Sequence, residues 1–291
     1  MFTDSHCHLQ FNAYNSNRKE VINRCLEKDM ILNIVGTQKN TSKQAVELAE
    51  KYDNFYATIG LHPIHLFPTH VDEEEDTFIS KEENFDEDYY SELAQSKKVI
   101  AVGECGIDLF HLPKDKSLTE VLKRQKQVFQ KQIDFAIKNN LALVVHTRDG
   151  INLDISAYDE VIKVIKAKIS DKKPQIRGVI HCYTSNWHNA KKFLDLGFYL
   201  GFTGVITFPP KKTDPRPQLE LLEVIKKCPL DKILVETDSP YLAPQKYRGK
   251  QAEPWMTEEV IKKIAEIKNL DEADVRNITI ENTKKLFTKI I

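Results

Sequence analysis

The chain has 291 residues, 41% of them hydrophobic and 29% charged, with a formal net charge of −1. That composition describes a folded globular protein, large enough for one big core or two smaller ones. A charge so close to zero excludes a global field that gathers polyanions, so a nucleic acid would have to be held by local features.

The first apolar stretch is FTDSHCH, residues 2–8. In an extended strand, side chains two apart share a face, so His6 and His8 project together while Cys7 turns away. That is the geometry of a two-histidine metal clamp; taken alone, it equally describes a polar strand surface. Seven further apolar runs follow: MILNIVGT (30–37), FYATIGLH (55–62), KVIAVGEC (98–105), LALVVHT (141–147), RGVIHCY (177–183), FYLGFTG (198–204) and KILVETD (232–238). Most are short, continuous and rich in Val, Ile and Leu, as strands buried on both faces are.

Amphipathic helix candidates separate the runs. They begin near Thr41, Leu118, Asn189 and Arg216, and after the eighth run at Trp255 and Asp271. In the helix from Trp255, Met256, Val260, Ile261, Ile264 and Ile267 repeat at helical spacing and leave the lysines outside. Strand and helix alternating eight times predicts an α/β fold, a single-domain (β/α)8 barrel. A doubly wound open sheet is the competing arrangement, but no glycine-rich phosphate loop follows the first strand.

Two segments interrupt the series. VDEEEDTFISKEENFDED, residues 71–88, is strongly acidic and reads as an insertion after the third strand, an elaborated loop or solvated helical flap. FPPKKTDPRP, residues 208–217, reads as a rigid basic loop after the seventh.

In a barrel of this kind the active site is built on the carboxyl-terminal ends of the strands. Strand one ends with His6 and His8, strand three with His62, strand four with Glu104, strand five with His146, strand six with His181 and strand eight with Asp238. A lone histidine or glutamate at a strand end is usually a hydrogen-bonded structural group. Their joint placement differs, because two carboxylates and several imidazoles converging at a partly dehydrated site call for divalent cations. The five cysteines, Cys7, Cys25, Cys105, Cys182 and Cys228, are scattered, odd in number and form no CxxC pair. That argues against a disulfide framework and a zinc knuckle. With no apolar run of membrane-spanning length and no basic-then-apolar signal at the start, the expected location is the cytoplasm, without a membrane partner.

FTDSHCHL, GLHP, GECGID, VVHTRD, IHCY, ETDSPYL, the RGK of YRGK followed by EP, and the closing EVIKKIAEIKNL…NTKKLF occur in that order. Together they resemble the TatD family of metal-dependent hydrolases, often described as deoxyribonucleases, from the first strand to the last helix. The resemblance implies a distorted TIM barrel of the amidohydrolase superfamily holding two divalent cations, Mg, Mn or Zn. Carried over by position, it makes His6, His8 and Asp238 ligands of one ion and Glu104 the bridge to a second, which His146 and His181 complete. It gives His62 a substrate phosphate to contact and Asp238 a second role, accepting the proton of the attacking water. HCYTSN departs from the small Ser-Gly turn common after the strand-six histidine, and Gly150 stands where alanine is frequent; both bear on pocket shape.

Around this set, Asp108 reads either as support for a ligand or as a turn cap, and Glu236 as buried support. Arg148 reads either as a phosphate clamp or as the partner of a neighbouring acid such as Asp149. His65, His70, His111 and His188 read as loop surface. The expected reaction is hydrolysis of DNA phosphodiesters, trimming single strands from an end. Lys211, Lys212, Lys246, Arg248 and Lys250 would contact the backbone on the side away from the acidic insertion. The alternatives are hydrolysis of a small ester, amide or phosphate ester at the same metal centre, and a non-catalytic metal-binding barrel. No obligate protein partner is evident from the sequence.

Overall fold

The computed structural model describes residues 1–70, 79–80, 82–169 and 176–290. Eight parallel strands form one sheet in sequential order: β1 (Phe2–Cys7), β2 (Met30–Val35), β3 (Phe55–Ile59), β4 (Val99–Asp108), β5 (Ala142–Arg148), β6 (Gly178–Ile180), β7 (Tyr199–Phe202) and β8 (Ile233–Val235). Helices lie between them: α1 (Arg18–Glu27), α2 (Lys39–Ala49), α3 (Glu87–Leu93), α4 (Leu118–Lys138), α5 (Ala157–Lys168), α6 (Trp187–Asp195) and α7 (Arg216–Lys227). Two more, α8 (Thr257–Lys268) and α9 (Glu272–Leu286), follow β8. The result is a nearly closed TIM barrel. The runs identified in the sequence extend past several strands, so His8, His62, His181 and Asp238 stand just beyond a strand end, whereas Glu104 and His146 lie within strands.

Local chemistry explains the boundaries. Ser117 opens α4 with a reciprocal capping box, its hydroxyl accepting from Glu120 N while Glu120 accepts from Ser117 N. Asp86 and Asp271 cap α3 and α9 through backbone amides of Tyr89 and Ala273. Between strands and helices the buried core includes Val21, Ala45, Phe129, Val161, Val224 and Ile261, one apolar stripe from each of six helices.

The barrel closes where β8 meets β1. Asp238 N donates to His6 O at 2.9 Å and His8 N to Ser239 O at 2.8 Å. Deeper along this seam, the fully buried Asp4 carboxylate accepts from Thr237 N at 3.0 Å, from His6 N at 3.1 Å and from the Thr237 hydroxyl. Burial pushes the Asp4 carboxyl well above its usual range, against those three hydrogen bonds.

At the amino-terminal end, Ile31, Tyr56, Val144, Val179 and Leu234 form a buried cluster with Ile280, Leu286 and Phe287 of α9 and its C-terminal turn. Val144, Val179 and Leu234 stand two residues before His146, His181 and Glu236, so each pair shares the interior face of its strand. Helix α9 therefore seals one end of the barrel, and the titratable groups gather at the other.

The acidic insertion lies partly outside the described residues: 71–78 and 81 belong to it. Of the rest, Glu82 pairs with Arg124 at 2.7 Å, Asp86 with Lys39 at 2.7 Å and Glu87 with Lys138 at 2.7 Å. These three acids are tied to basic side chains of α2 and α4 while remaining about half exposed. No helix among the described residues is long and apolar enough to cross a membrane.

Candidate metal centre

Backbone irregularities aim the central side chains. The β1–β2 register shifts between Asp4 and Cys7, and the β4–β5 register shifts between Val102 and Cys105, bracketing His6 and Glu104. Such bulges redirect a side chain without breaking the sheet. Gly106, with φ of 145°, lets β4 pass so close to the His146 carbonyl that a Cβ would overlap it. Asp238 has a left-handed backbone, φ of 58°, and Cys182 beside His181 has φ of 44°. Strain of this kind in non-glycine residues persists where surrounding structure fixes it and concentrates at functional sites.

Three groups place one donor atom per residue within 4.8 Å of one another: His6, His181 and Asp238; His6, His8 and Glu104; His62, Glu104 and His146. Glu104 faces two ways. Its Oε2 lies 3.5 Å from His6 Nε2 and 3.9 Å from His8 Nε2, while Oε1 lies 2.9 Å from His146 Nδ1, 3.4 Å from His62 Nε2 and 3.8 Å from His181 Nε2. Asp238 Oδ1 lies 3.3 Å from His8 Nε2, 3.5 Å from His181 Nε2 and 3.7 Å from His6 Nε2. The six residues assigned as ligands from the sequence thus meet in one volume. His181 stacks on His6 at 3.4 Å between ring centroids, with its Nε2 near both Asp238 and Glu104, and the His62 and His146 ring centroids lie 4.2 Å apart.

Neighbouring groups set the roles of the imidazoles. His8 Nδ1 donates to Val35 O at 2.7 Å, which leaves the Nε2 lone pair facing His6 Nε2 at 3.2 Å. Two such nitrogens flanked by carboxylate oxygens are a donor set that suits a divalent cation, so the residues fit a metal. His62 is arranged differently: its Nδ1 accepts from Ile64 N at 3.2 Å, which leaves a neutral ring with its proton on Nε2, a donor aimed into the site. Burial, reinforced by nearby His146, lowers His62 to about 4, so it stays neutral.

His146 is held between two carboxylates, Glu104 on Nδ1 and Asp108 on Nε2 at 3.0 Å. Burial works against its charge, but Asp108 and Glu104 prevail and raise it to about 9. His181 has Nδ1 2.9 Å from Glu236 Oε1; there burial is overcome by Glu236 and Asp238, which raise it to about 10. Burial raises the Glu104 carboxyl, yet the surrounding histidines hold it well below its usual range, and Asp238 is lowered likewise.

The supporting residues have defined partners. Asp108 takes both roles open to it in the sequence, capping a turn through Phe110 N and His111 N while binding His146. Glu236 is fully buried against His181 and Ser5, and Gly201 provides the room, since a Cβ there would collide with the Glu236 carboxylate. Arg148 lies over the Phe110 ring at 4.0 Å; Asp149 instead accepts from Ala157 N. His65 is fully buried in the turn that Pro63 starts beside His62, which corrects its assignment to the surface. His111 and His188 are exposed; His70 is described in its backbone alone.

The centre opens into a cleft of about 480 Å³, with Phe11, Ile64, Val205 and Leu242 as apolar walls and Arg148 at its edge. Phe11 also stacks on His8 at 4.4 Å. The loop cations remain outside the cleft lining: Lys211, Lys212 and Lys250 are exposed, Arg248 lies over Phe208 at 4.5 Å, and Lys246 is paired with Glu259 at 2.9 Å. Asp4, Thr237 and Phe11 were not identified from the sequence. The alternation that placed His6 inward also places Asp4 inward, and that was the available signal.

A profile of the family described as TatD related DNase matches residues 3–288. The Bacillus subtilis protein YabD, described as an uncharacterized metal-dependent hydrolase, is 35% identical over 288 residues, covering 99% of each chain. Escherichia coli YcfH, described in the same words, is 30% identical over 98% of this chain and 94% of its own. Among solved structures, the TatD homolog YJJV from Escherichia coli superposes with a TM-score of 0.77 at 24% identity, over 99% of this chain and 98% of that one.

Proposed function

The chain belongs to the TatD-related DNase family, and from that premise we propose that it is a metal-dependent hydrolase that cleaves phosphodiester bonds of DNA, trimming single strands from an end. The observation that carries the reading is Glu104, whose two oxygens face two different sets of imidazoles, as a carboxylate between two cations does. His6, His8 and Asp238 would hold one ion, His146 and His181 the other, with Glu104 between them; Mg, Mn and Zn are the candidate ions. Divalent cations, when bound, supply Lewis-acid chemistry, lowering the pKa of a water and polarising phosphoryl oxygens.

The protein's own groups do the rest. His62, neutral with Nε2–H directed inward, donates to a phosphoryl oxygen as negative charge builds there. Asp238 receives the proton of the attacking water, its carboxylate held ionised by the histidines around it. Glu236 fixes the His181 ring and Asp108 the His146 ring. Arg148 supplies positive charge at the cleft edge, and Lys211, Lys212, Arg248 and Lys250 extend it along the loops after β7 and β8. The cytoplasm is the proposed location, on the strength of five free thiols.

The apolar walls of the cleft favour a second reading, hydrolysis of a small ester at the same centre. A parallel assay of single-stranded oligonucleotides and small esters with Mg, Mn and Zn separates the two. The nuclease reading requires oligonucleotide cleavage with at least one ion; cleavage of small esters alone refutes it.

A further inference from the structure

Among the described residues, five of the eight arginines are occupied. Arg24, Arg124 and Arg216 pair with carboxylates, Arg18 is bound by backbone carbonyls of the loop after β1, and Arg177 by oxygens of Asn140 and Leu286. Among the described residues Arg148, Arg248 and Arg276 have no such oxygen partner, and of these three only Arg148 lines the cleft. Its guanidinium lies 4.0 Å from the centroid of Phe110, which is 42% exposed even with Arg148 and the edge of His111 against it. Both neighbours of the ring, Arg148 and His111, line the cleft, so Phe110 presents its exposed surface directly beside the cleft edge.

The turn that carries Phe110 is rigid and registered to the metal centre. Asp108 accepts from Phe110 N at 2.8 Å, from His111 N at 2.7 Å and from His111 Nδ1 at 2.9 Å, and the same carboxylate binds His146. Leu109 N bonds Arg148 O at 2.9 Å, locking the turn to the end of β5. One buried carboxylate therefore sets the position of both a candidate ligand and an exposed aromatic face.

We propose that Phe110 and Arg148 form a nucleotide subsite beside the metal centre: Phe110 stacks the base next to the scissile bond and Arg148 binds the adjoining phosphate. The inference rests on the nuclease reading and supplies its specificity for unpaired strands, since a base must leave its duplex partner before its face can lie on Phe110. Stacking is tolerant of sequence because every base has a π-face, so the subsite selects single strands without selecting bases. Holding Arg148 against the ring pre-organises its guanidinium and limits the freedom lost on binding.

The test is binding of a fluorescently labelled single-stranded oligonucleotide, read by anisotropy in the presence of a chelator so that no turnover intervenes. Phe110→Ala is expected to weaken the Kd about tenfold, with Phe110→Trp restoring it and Phe110→Leu remaining weak. An unchanged Kd in Phe110→Ala, equal binding by the Leu and Trp variants, or no oligonucleotide binding by the unsubstituted protein overturns the subsite. Failure of the nuclease reading looks different: the Kd still responds to Phe110, but no added cation yields cleavage.

Discussion

At its amino-terminal end the barrel packs Val144, Val179 and Leu234 against Phe287 of the C-terminal turn, while two residues further along the chain from each, His146 and His181 line a cleft and Glu236 lies buried against His181. One end is apolar and sealed by α9; the other buries several ionisable groups whose preferences conflict. Strand geometry is common to both, so it cannot account for the difference. The sealed end supplies cohesive free energy, and the open end uses part of it to hold like charges and strained backbone together.

The comparison can be broken at either end. Glu104→Gln removes the group shared by both sets of imidazoles. We expect kcat to fall about a thousandfold and metal analysis to show one ion lost, with little change in melting temperature. Turnover retained in that variant refutes the shared role. Phe287→Ala is the converse: deleting a fully buried ring costs about 3–5 kcal/mol of stability, read by denaturant unfolding, while metal content holds at temperatures where the fold survives. A variant that loses ions before it loses structure contradicts the division.

Protonation sharpens the contrast further. Nearby carboxylates raise His146 to about 9 and His181 to about 10 when no cation is bound. A raised folded pKa stabilises the fold fully below the unfolded value near 6.5, and that contribution disappears as pH rises through 9 to 10. In chelator the melting temperature should therefore fall on the alkaline side, and loading with cation should flatten the decline because the ion replaces the protons. A melting temperature that climbs between neutrality and pH 10 in chelator contradicts the assignment. The smallest expected effect is at the loops: reversing Lys211 and Lys212 to Glu should weaken oligonucleotide binding and reduce its logarithmic salt slope by about one per lysine. Equal binding at several salt concentrations removes these lysines from the proposed backbone contacts.

What the sequence disclosed follows from periodicity. The two-residue repeat of a strand put His6 and His8 on one face, and continuous apolar runs marked strands buried on both sides, so barrel and cage were both legible. What it concealed depends on partners remote along the chain. Asp4 has meaning only beside Thr237, and Lys246 is occupied by Glu259 from the next helix, which local pattern does not reveal. His65 reads as loop because it follows GLHP, yet the turn begun by Pro63 folds it inward. The stacking of His181 on His6 was equally hidden, since it depends on rotamers.

The seam between β1 and β8 has a consequence for biosynthesis. His6 and His8 leave the ribosome long before Asp238, and the Asp4 carboxylate waits for Thr237 throughout that interval. A nascent polypeptide that ends before the eighth strand presents its imidazoles without the closing aspartate. Assembly of the cage is thus coupled to the arrival of that strand, and an interrupted translation product would lack a complete hydrolytic centre.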